Sequence, residues 1–271
     1  MTDTDVSALL AAYDEHTRAW IPEHPPAEAV YVWDGALLRT VGEHRGFVET
    51  PRDARVRGAE LDALIARQRD YFAARAQAVE WKTRAHDLPA DLTDRLVAAG
   101  FRPEDPETVM IGEAAALATE PVLPEGVTLR QVTAPDDLRR IAAMHSEVWG
   151  EDHGHLVDGL ANRLAAGPEH FVVLVAEASG QGAGPQVVCA AWLGLKEGTG
   201  FAGLWGGSTL AAWRGKGIYR AMVARRAQLA VAQDVKYLQV DASKDSRPIL
   251  ERLGLHAVTT TTPYVWSPPE A

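Results

Sequence analysis

The residues with the clearest potential for chemistry lie at 214–220, where the sequence is Arg-Gly-Lys-Gly-Ile-Tyr-Arg. An apolar, glycine-rich segment at 201–210 precedes them, and a segment at 221–232 that is predicted to be helical follows. Glycines let a backbone approach a phosphate, and the free N–H groups and dipole of a helix N-terminus attract an anion. This strand, turn and helix therefore predict a site for a phosphate-bearing cofactor.

Basic side chains and the order of the following elements make the pattern more specific than a Gly-Lys-Gly tripeptide, which alone is weak evidence. The basic residues, with no acid between them, are Arg214, Lys216, Arg220, Arg225 and Arg226. Downstream, the patterns predict a strand at 235–242, a short helix at 246–253 that ends at Gly254, and a β-branched final strand at 257–266.

This order of elements resembles the GNAT superfamily of acyl-CoA-dependent N-acyltransferases over residues 126–266. The phosphate motif of that family is Arg or Gln, two residues, Gly, one residue, then Gly or Ala. Arg214, Gly217 and Tyr219 stand at those places, so the last position departs from the motif. The family's helix–glycine–apolar ending matches Leu253, Gly254 and Leu255. A P-loop or a Rossmann dinucleotide site would need glycine patterns that are not found here.

The resemblance implies that acetyl-CoA is the co-substrate and that it lies in an opening between the fourth and fifth strands. The pantetheine would pair with the backbone of Gly207, Ser208 and Thr209. The residues that match the pyrophosphate turn are Arg214, Gly215, Lys216, Gly217, Ile218, Tyr219 and Arg220. Because Tyr219 replaces a small residue, its ring is expected to turn outward. Ser243, at the place of a fifth-strand Asn, is also assigned to the cofactor.

The usual side-chain catalysts of the family are missing from this sequence. Acetylation of an amine needs a base for the ammonium proton and donors for the oxyanion, and an acid can protonate the departing thiolate. The family's acid Tyr falls on Leu250, and its fourth-strand Glu falls near Gly203. Its fifth-strand Asn and Glu fall on Ser243 and Leu238. Two explanations stay open: direct transfer with water as the proton acceptor, or groups supplied by the loop after the first helix.

That loop, at 145–155, concentrates three His and three acidic residues, and in the family it borders the acceptor pocket. Our candidates for the base are Glu147, Asp152 and His153, although a solvated polar loop without a role has the same composition. No metal is expected, since no His-x-x-x-His or Cys pair supports one. Trp205, on the predicted fourth strand, is expected either in the core or in the acceptor pocket.

The composition indicates a globular protein of 271 residues with a net charge of −10. No apolar run approaches the ~20 residues that span a bilayer, and the N-terminus lacks a signal-peptide pattern. The single Cys189 lies in an apolar strand pattern, which favours a buried thiol. We therefore expect a cytoplasmic protein with no membrane partner.

Charge is unevenly distributed along the chain. Residues 1–120 hold 22 acidic and 13 basic side chains, a net charge of −9, and residues 121–271 hold 15 and 14, a net charge of −1. Without a basic stripe beyond the cofactor helix, nucleic acid is not an expected partner. The acidic first half would attract a cationic substrate, and it is equally compatible with an ordinary solvated surface.

The proline-punctuated segment at 119–126 predicts a linker between two units: residues 121–271, a GNAT N-acetyltransferase domain, and residues 1–120, a degenerate GNAT-like domain. The first unit repeats the order strand, helix, Gly-apolar, strand, and a predicted helix at 59–76 takes the place of 215–232. The matching turn, 51–58, has arginines but no Gly-x-Gly, so no phosphate is expected there. Chance similarity of two βαβ units is the alternative.

The predicted fold class is α/β (α+β), with a mixed, mostly antiparallel central sheet flanked by helices in two tandem GNAT-like units. The predicted activity is an acetyltransferase that moves an acetyl group from acetyl-CoA to a primary amine of a small molecule or peptide. A catalytically silent CoA-binding or sensing protein is the alternative. Either protein would be a monomer or homodimer.

Overall fold

The computed structural model describes residues 5–42, 44–179 and 184–269. Its helices are α1 (Val6–His16), α2 (Gly58–Ala73), α3 (Leu92–Ala98), α4 (Ala114–Leu117), α5 (Pro135–Trp149), α6 (Leu156–Ala166), α7 (Ile218–Val231) and α8 (Arg247–Leu253). Its strands are β1 (Val30–Asp34), β2 (Leu37–Val41), β3 (Gly46–Glu49), β4 (Val79–Arg84), β5 (Arg102–Pro103), β6 (Glu107–Glu113), β7 (Val127–Val132), β8 (Phe171–Ala178), β9 (Gln186–Lys196), β10 (Phe201–Thr209), β11 (Tyr237–Ala242) and β12 (His256–Trp266). None of the helices in these ranges is long and apolar enough to cross a membrane.

The described strands form one continuous open sheet in the order β1-β2-β3-β4-β12-β6-β11-β10-β9-β8-β7, with β5 beside β12. Neighbouring strands are antiparallel except for two parallel pairs, β3 with β4 and β10 with β11. The prediction of a mixed, mostly antiparallel sheet flanked by helices is therefore confirmed.

The two halves of the chain exchange their last strands. β6, from the first half, lies between β11 and β12 of the second half. β12, the last strand of the chain, also pairs with β4 of the first half. Each half therefore completes the sheet of the other, so the boundary at residue 120 divides the sequence but does not divide the hydrogen-bonded sheet.

The observed bounds of β10, α7, β11, α8 and β12 lie within about three residues of those predicted. In the first half, β1, β2 and β3 were not predicted. Their pattern is weak because β1 is partly exposed and because β2 buries Arg39, which forms an ion pair of 2.6 Å with Asp34. A buried charged pair hides the alternation that identifies a strand in sequence.

Three apolar clusters hold the sheet and its helices together. The largest joins β7–β11 to α5, α6 and α7, and a second joins β2–β4 to α2 and α3. A third places Leu9 and Tyr13 of α1 against Val109 and Ile111 of β6 and Phe201 of β10. The third cluster fixes the start of β10 against the first half, and β10 is the strand on which the candidate site is built.

Candidate functional site

The sheet opens between β10 and β11. The two parallel strands pair only where Phe201–Gly203 faces Tyr237–Gln239. Beyond this point β10 follows β9 and β11 follows β6, so the facing edges diverge. Backbone N–H and C=O groups on such edges must find other partners. The opening that the resemblance implied is thus present along β10.

A bulge in β10 lies at the start of this opening. The register against β9 shifts between Trp205 and Ser208, and Gly206 has φ of +62°, a conformation that favours glycine. Two side chains of α5 hold the bulge: the indole Nε1 of Trp149 donates to Ser208 Oγ at 3.1 Å, and His145 is hydrogen-bonded to the backbone of Gly206. The bulge is therefore rigidly placed.

The predicted phosphate turn is a left-handed glycine turn in front of α7. Gly215 and Gly217 have φ of +73° and +84°, and α7 begins at Ile218 with no acidic residue in its first turn. A Cβ at Gly215 would meet nothing within 4 Å, and one at Gly217 would meet only Val122 O, at 3.8 Å. The start of α7 therefore presents free N–H groups to open space, which is the geometry that binds anions.

The other residues assigned to the cofactor lie along the opening and its turn. Arg214, Lys216 and Arg220 are exposed, and Arg214 Nε donates to Thr209 O at 3.0 Å, joining the turn to the end of β10. Ile218, in contrast, is buried in the core, so only its backbone is available. Across the opening, Ser243 directly follows β11, and it accepts a hydrogen bond of 3.3 Å from the N–H of Ser246.

Two expectations about side chains at this turn are wrong. The Tyr219 ring does not turn outward: it packs inward on β10, where a Cβ at Gly207 would lie 2.7 Å from the ring. Arg226 does not join the exposed positive charges, because its side chain is buried and Nη1 donates to Trp192 O at 3.2 Å and Trp205 O at 3.4 Å. Arg226 therefore lies behind the bulge rather than at the phosphate turn.

A cavity of about 820 Å³ meets the bulge at Gly206. It lies between the first half of the chain and the α5–α6 region, and Trp192 and Trp205 form its inner wall. Both alternatives for Trp205 thus apply in part, since its half-buried ring lines the cavity and also covers Gly203. The acidic side chains that line it are Glu28, Glu104, Glu151 and Asp158, and the basic ones are Arg45 and Arg163.

Four histidine rings form a row that runs from the bulge in β10 to the first half of the chain. The centroids of His145 and His153 are 5.8 Å apart, those of His153 and His155 are 5.6 Å apart, and those of His155 and His44 are 4.3 Å apart. Burial, with His153 nearby, lowers the pKa of His145 to about 4, and burial also lowers the pKa of His155. His145 is therefore neutral near pH 7, and its Nε2 has no partner among the described residues.

The three residues proposed as the base are not brought together. His153 lines the cavity, with Nδ1 3.1 Å from Glu151 O. Asp152 is exposed and accepts a hydrogen bond of 2.9 Å from the N–H of Gly154. Glu147 is exposed on α5 and does not line the cavity. Geometry thus favours His153 among the three.

Sequence reasoning did not identify His44, His145, His155 or Trp192 as parts of the site. The local signal for His145 was its place on the apolar face of α5, four residues after Ile141, which indicated burial. No local signal connected His44 to His155, because their contact depends on how the two halves of the chain fold together.

One group of described residues has the spacing of a metal site. Ligand atoms of His24, His170 and Glu197 lie within 4.8 Å of one another, beside a second cavity of about 230 Å³. An ion pair of 2.9 Å between His170 Nε2 and Glu197 Oε1 already explains this arrangement. It lies outside the opening, and we assign no metal to it.

Solved structures with the same architecture cover almost the whole chain. A GCN5-related N-acetyltransferase from Kribbella flavida has a TM-score of 0.65 at 18% identity and covers 98% of this chain and 95% of its own. A GCN5-related N-acetyltransferase from Sphaerobacter thermophilus has a TM-score of 0.62 at 17% identity, and the match covers 98% of this chain and 86% of that protein. A tandem GNAT protein from the clavulanic acid biosynthesis pathway has a TM-score of 0.60 at 15% identity, and the match covers 98% of this chain and 95% of that protein.

This chain has the GNAT fold. The amino-acid sequence itself matches no family model and no curated protein. Likeness at this identity establishes the architecture, and it agrees with the fold that the turn at 214–220 and the elements after it implied. The likeness to the tandem GNAT protein extends over 98% of this chain and therefore includes its first half as well as its second.

Proposed function

We propose that the protein is an N-acetyltransferase that moves an acetyl group from acetyl-CoA to a primary amine of a small molecule or peptide. The observation that carries this proposal is the opening between β10 and β11. One end of it leads to the glycine turn of α7, and the other meets the 820 Å³ cavity at Gly206. The phosphate site, the pantetheine path along β10 and the acceptor cavity that we propose follow the order that acetyl-CoA and an amine require.

In this proposal the pyrophosphate of acetyl-CoA binds the N–H groups of residues 215–218, with Arg214, Lys216 and Arg220 around it. The pantetheine follows the backbone of Gly207–Thr209 toward the bulge. Its thioester then lies at Gly206, at the inner end of the cavity. Tyr219 supports this path from behind, because its ring packs on Gly207.

The acceptor amine enters through the cavity as a cation and loses a proton before it attacks. Four carboxylates in the wall favour a cation, and His153 is our candidate for the base. The amine nitrogen then attacks the thioester carbon. A C–N bond forms, the C–S bond breaks, and the electron pair leaves with sulfur as CoA thiolate. The nitrogen then gives up its second proton, which the thiolate takes, and the products are the neutral amide and CoA thiol. Direct transfer of the proton to water is the competing route.

A catalytically silent CoA-binding or sensing protein is the second candidate, and one observation favours it. Leu238 and Leu250, at the places of the family's Glu and acid Tyr, are completely buried. Neither position therefore supplies a polar group to the opening. The same observation fits an enzyme whose thiolate leaves without a side-chain acid.

Incubation with acetyl-CoA and a library of amines, while free thiol is followed, tests the proposal. An acetyltransferase releases thiol only when a suitable amine is present, and the amide is found by mass spectrometry. Calorimetric binding of CoA without any thiol release would support the silent alternative, and absence of CoA binding would overturn both candidates.

A further inference from the structure

Arg226 is a buried cation with no anionic partner among the residues that the structure describes. Its side chain is only 1% exposed, and no described carboxylate forms an ion pair with it. The titratable groups beside it are Tyr219 and Cys189, and burial raises the pKa of both, that of Cys189 to about 11. Both are therefore uncharged near pH 7, and nothing among the described residues neutralises the guanidinium.

Burial of such a charge is unfavourable unless a partner compensates it. Arg226 Nε donates to Met222 O at 3.2 Å, and Nη1 donates to the carbonyls of Trp192 and Trp205. Nη2 has no partner. A methionine would fill a buried helix position at a lower electrostatic cost, so packing alone does not account for an arginine here.

The peptide that Arg226 holds is the first peptide of the bulge. In a trans peptide the C=O and the N–H point in opposite directions. Because the Trp205 carbonyl points at Arg226, the N–H of Gly206 in the same peptide points away from Arg226. A cation on the carbonyl polarises the peptide and makes its N–H a stronger donor. Arg226 therefore strengthens the N–H donor of Gly206, and the proposed path of acetyl-CoA brings the thioester to this residue.

The reaction proposed above creates negative charge at this place, first on the carbonyl oxygen and then on sulfur. The position of a side-chain acid is occupied by Leu250, which is buried, so another group must stabilise the thiolate. We propose that Arg226 is a positioning residue whose charge, acting through the Trp205–Gly206 peptide, stabilises the oxyanion and the departing CoA thiolate. This inference rests on the proposed function and adds the source of leaving-group stabilisation.

The direct test is the acidity of the CoA thiol when it is bound, followed by thiolate absorbance in the ultraviolet. In the wild-type protein the thiol of bound CoA should have a lower pKa than that of free CoA. Arg226→Met should raise it by about one unit, a tenfold change in the thiolate equilibrium. It should also lower kcat by about tenfold or more while the KM for acetyl-CoA changes little. Arg226→Lys, which keeps the charge, should restore most of the shift.

Lys236→Met is the matched control, because it removes an exposed cation at the paired end of β11, away from the opening. It should leave the thiol pKa unchanged. CoA that binds the wild-type protein with an unshifted thiol would overturn the role of Arg226 and leave the proposed function intact. This measurement needs no variant, so a fold defect in Arg226→Met cannot hide the outcome. No CoA binding to the wild-type protein would overturn both proposals.

Discussion

The strand–turn–helix segments at 46–73 and 201–231 hold equivalent places in the two halves, but only the second is open. β3 stays paired with β4 along its whole length, from Gly46 to Glu49. Its continuation is then closed by Leu88, whose N–H donates to Arg52 O at 2.7 Å and whose carbonyl accepts from Ala54 N–H at 3.1 Å. The backbone groups that β10 leaves free for a ligand are therefore used within the first half.

The two turns also differ in charge. In the first half, Asp53 accepts hydrogen bonds of 2.8 Å from Arg55 N–H and forms an ion pair of 2.9 Å with Arg57. The turn before α7 has basic residues and no acid. Arginines alone thus do not make an anion site. What distinguishes the second turn is its free N–H groups and the absence of a carboxylate that would occupy the place of the phosphate.

The largest expected effect comes from closing the second turn. Gly217→Glu adds bulk, strain at a positive φ and a negative charge where a phosphate would bind, so it should abolish CoA binding measured by calorimetry. Gly58→Glu is the matched variant, since Gly58 is the first residue of α2, also has a positive φ (+53°), and has nothing within 4 Å of the place where a Cβ would lie. That variant should keep the wild-type affinity and a stoichiometry of one CoA per chain. Two sites per chain would refute the comparison.

The next effect concerns the cavity, to which both halves contribute. If His153 is the base, His153→Ala should lower kcat/KM by the ~10²–10⁴-fold typical of acid–base groups. Glu147→Ala and Asp152→Ala should lower kcat/KM much less, because these side chains are exposed. The rate should rise with pH and then level off. Near-wild-type turnover in all three variants, with this pH dependence intact, would leave water as the proton acceptor.

A smaller effect concerns how the folding stability of the two halves depends on pH. None of the described histidines of the first half is buried, whereas His145 is buried with a pKa of about 4. An unfolded histidine titrates near 6.5. Between these values the unfolded chain binds a proton that the folded chain does not, so stability falls as the pH is lowered. Because of His145, the free energy of unfolding should fall by about 2 kcal/mol between about pH 7 and pH 5. Urea unfolding should show that His145→Gln loses this part of the slope.

Local signals explain which parts of the site could be predicted. α5 has a clear local signal at each end, because Pro135 begins it and Gly150, in a left-handed conformation, ends it. Gly215 and Gly217 were predicted as the turn for the same local reason. Arg226 was assigned to the phosphate on charge alone, although Met222 and Ala230, four residues to either side, are both buried and indicate an inward face.

Long-range contacts explain what could not be predicted. The exchange of β6 and β12 places strands from different halves side by side, and no periodicity within either strand records its neighbours. The cavity at Gly206 forms only when His44 and Arg45 of the first half approach α6. The acceptor side of the site therefore depends on the assembly of the two halves, whereas the cofactor side depends on one continuous segment.

The smallest predicted effect tests whether the bulge in β10 is held by several groups at once. Trp149→Phe removes the indole donor to Ser208 Oγ and keeps most of the ring, so it should lower the free energy of unfolding by about 0.5–1 kcal/mol. CoA affinity should fall only a few-fold, because His145 and Arg226 still hold the backbone at Gly206 and Trp205. Trp33→Phe is the control, since this ring is 54% exposed on β1 in the first half. It should change neither quantity; equal losses in the two variants would mean that the Trp149 hydrogen bond does not support the bulge.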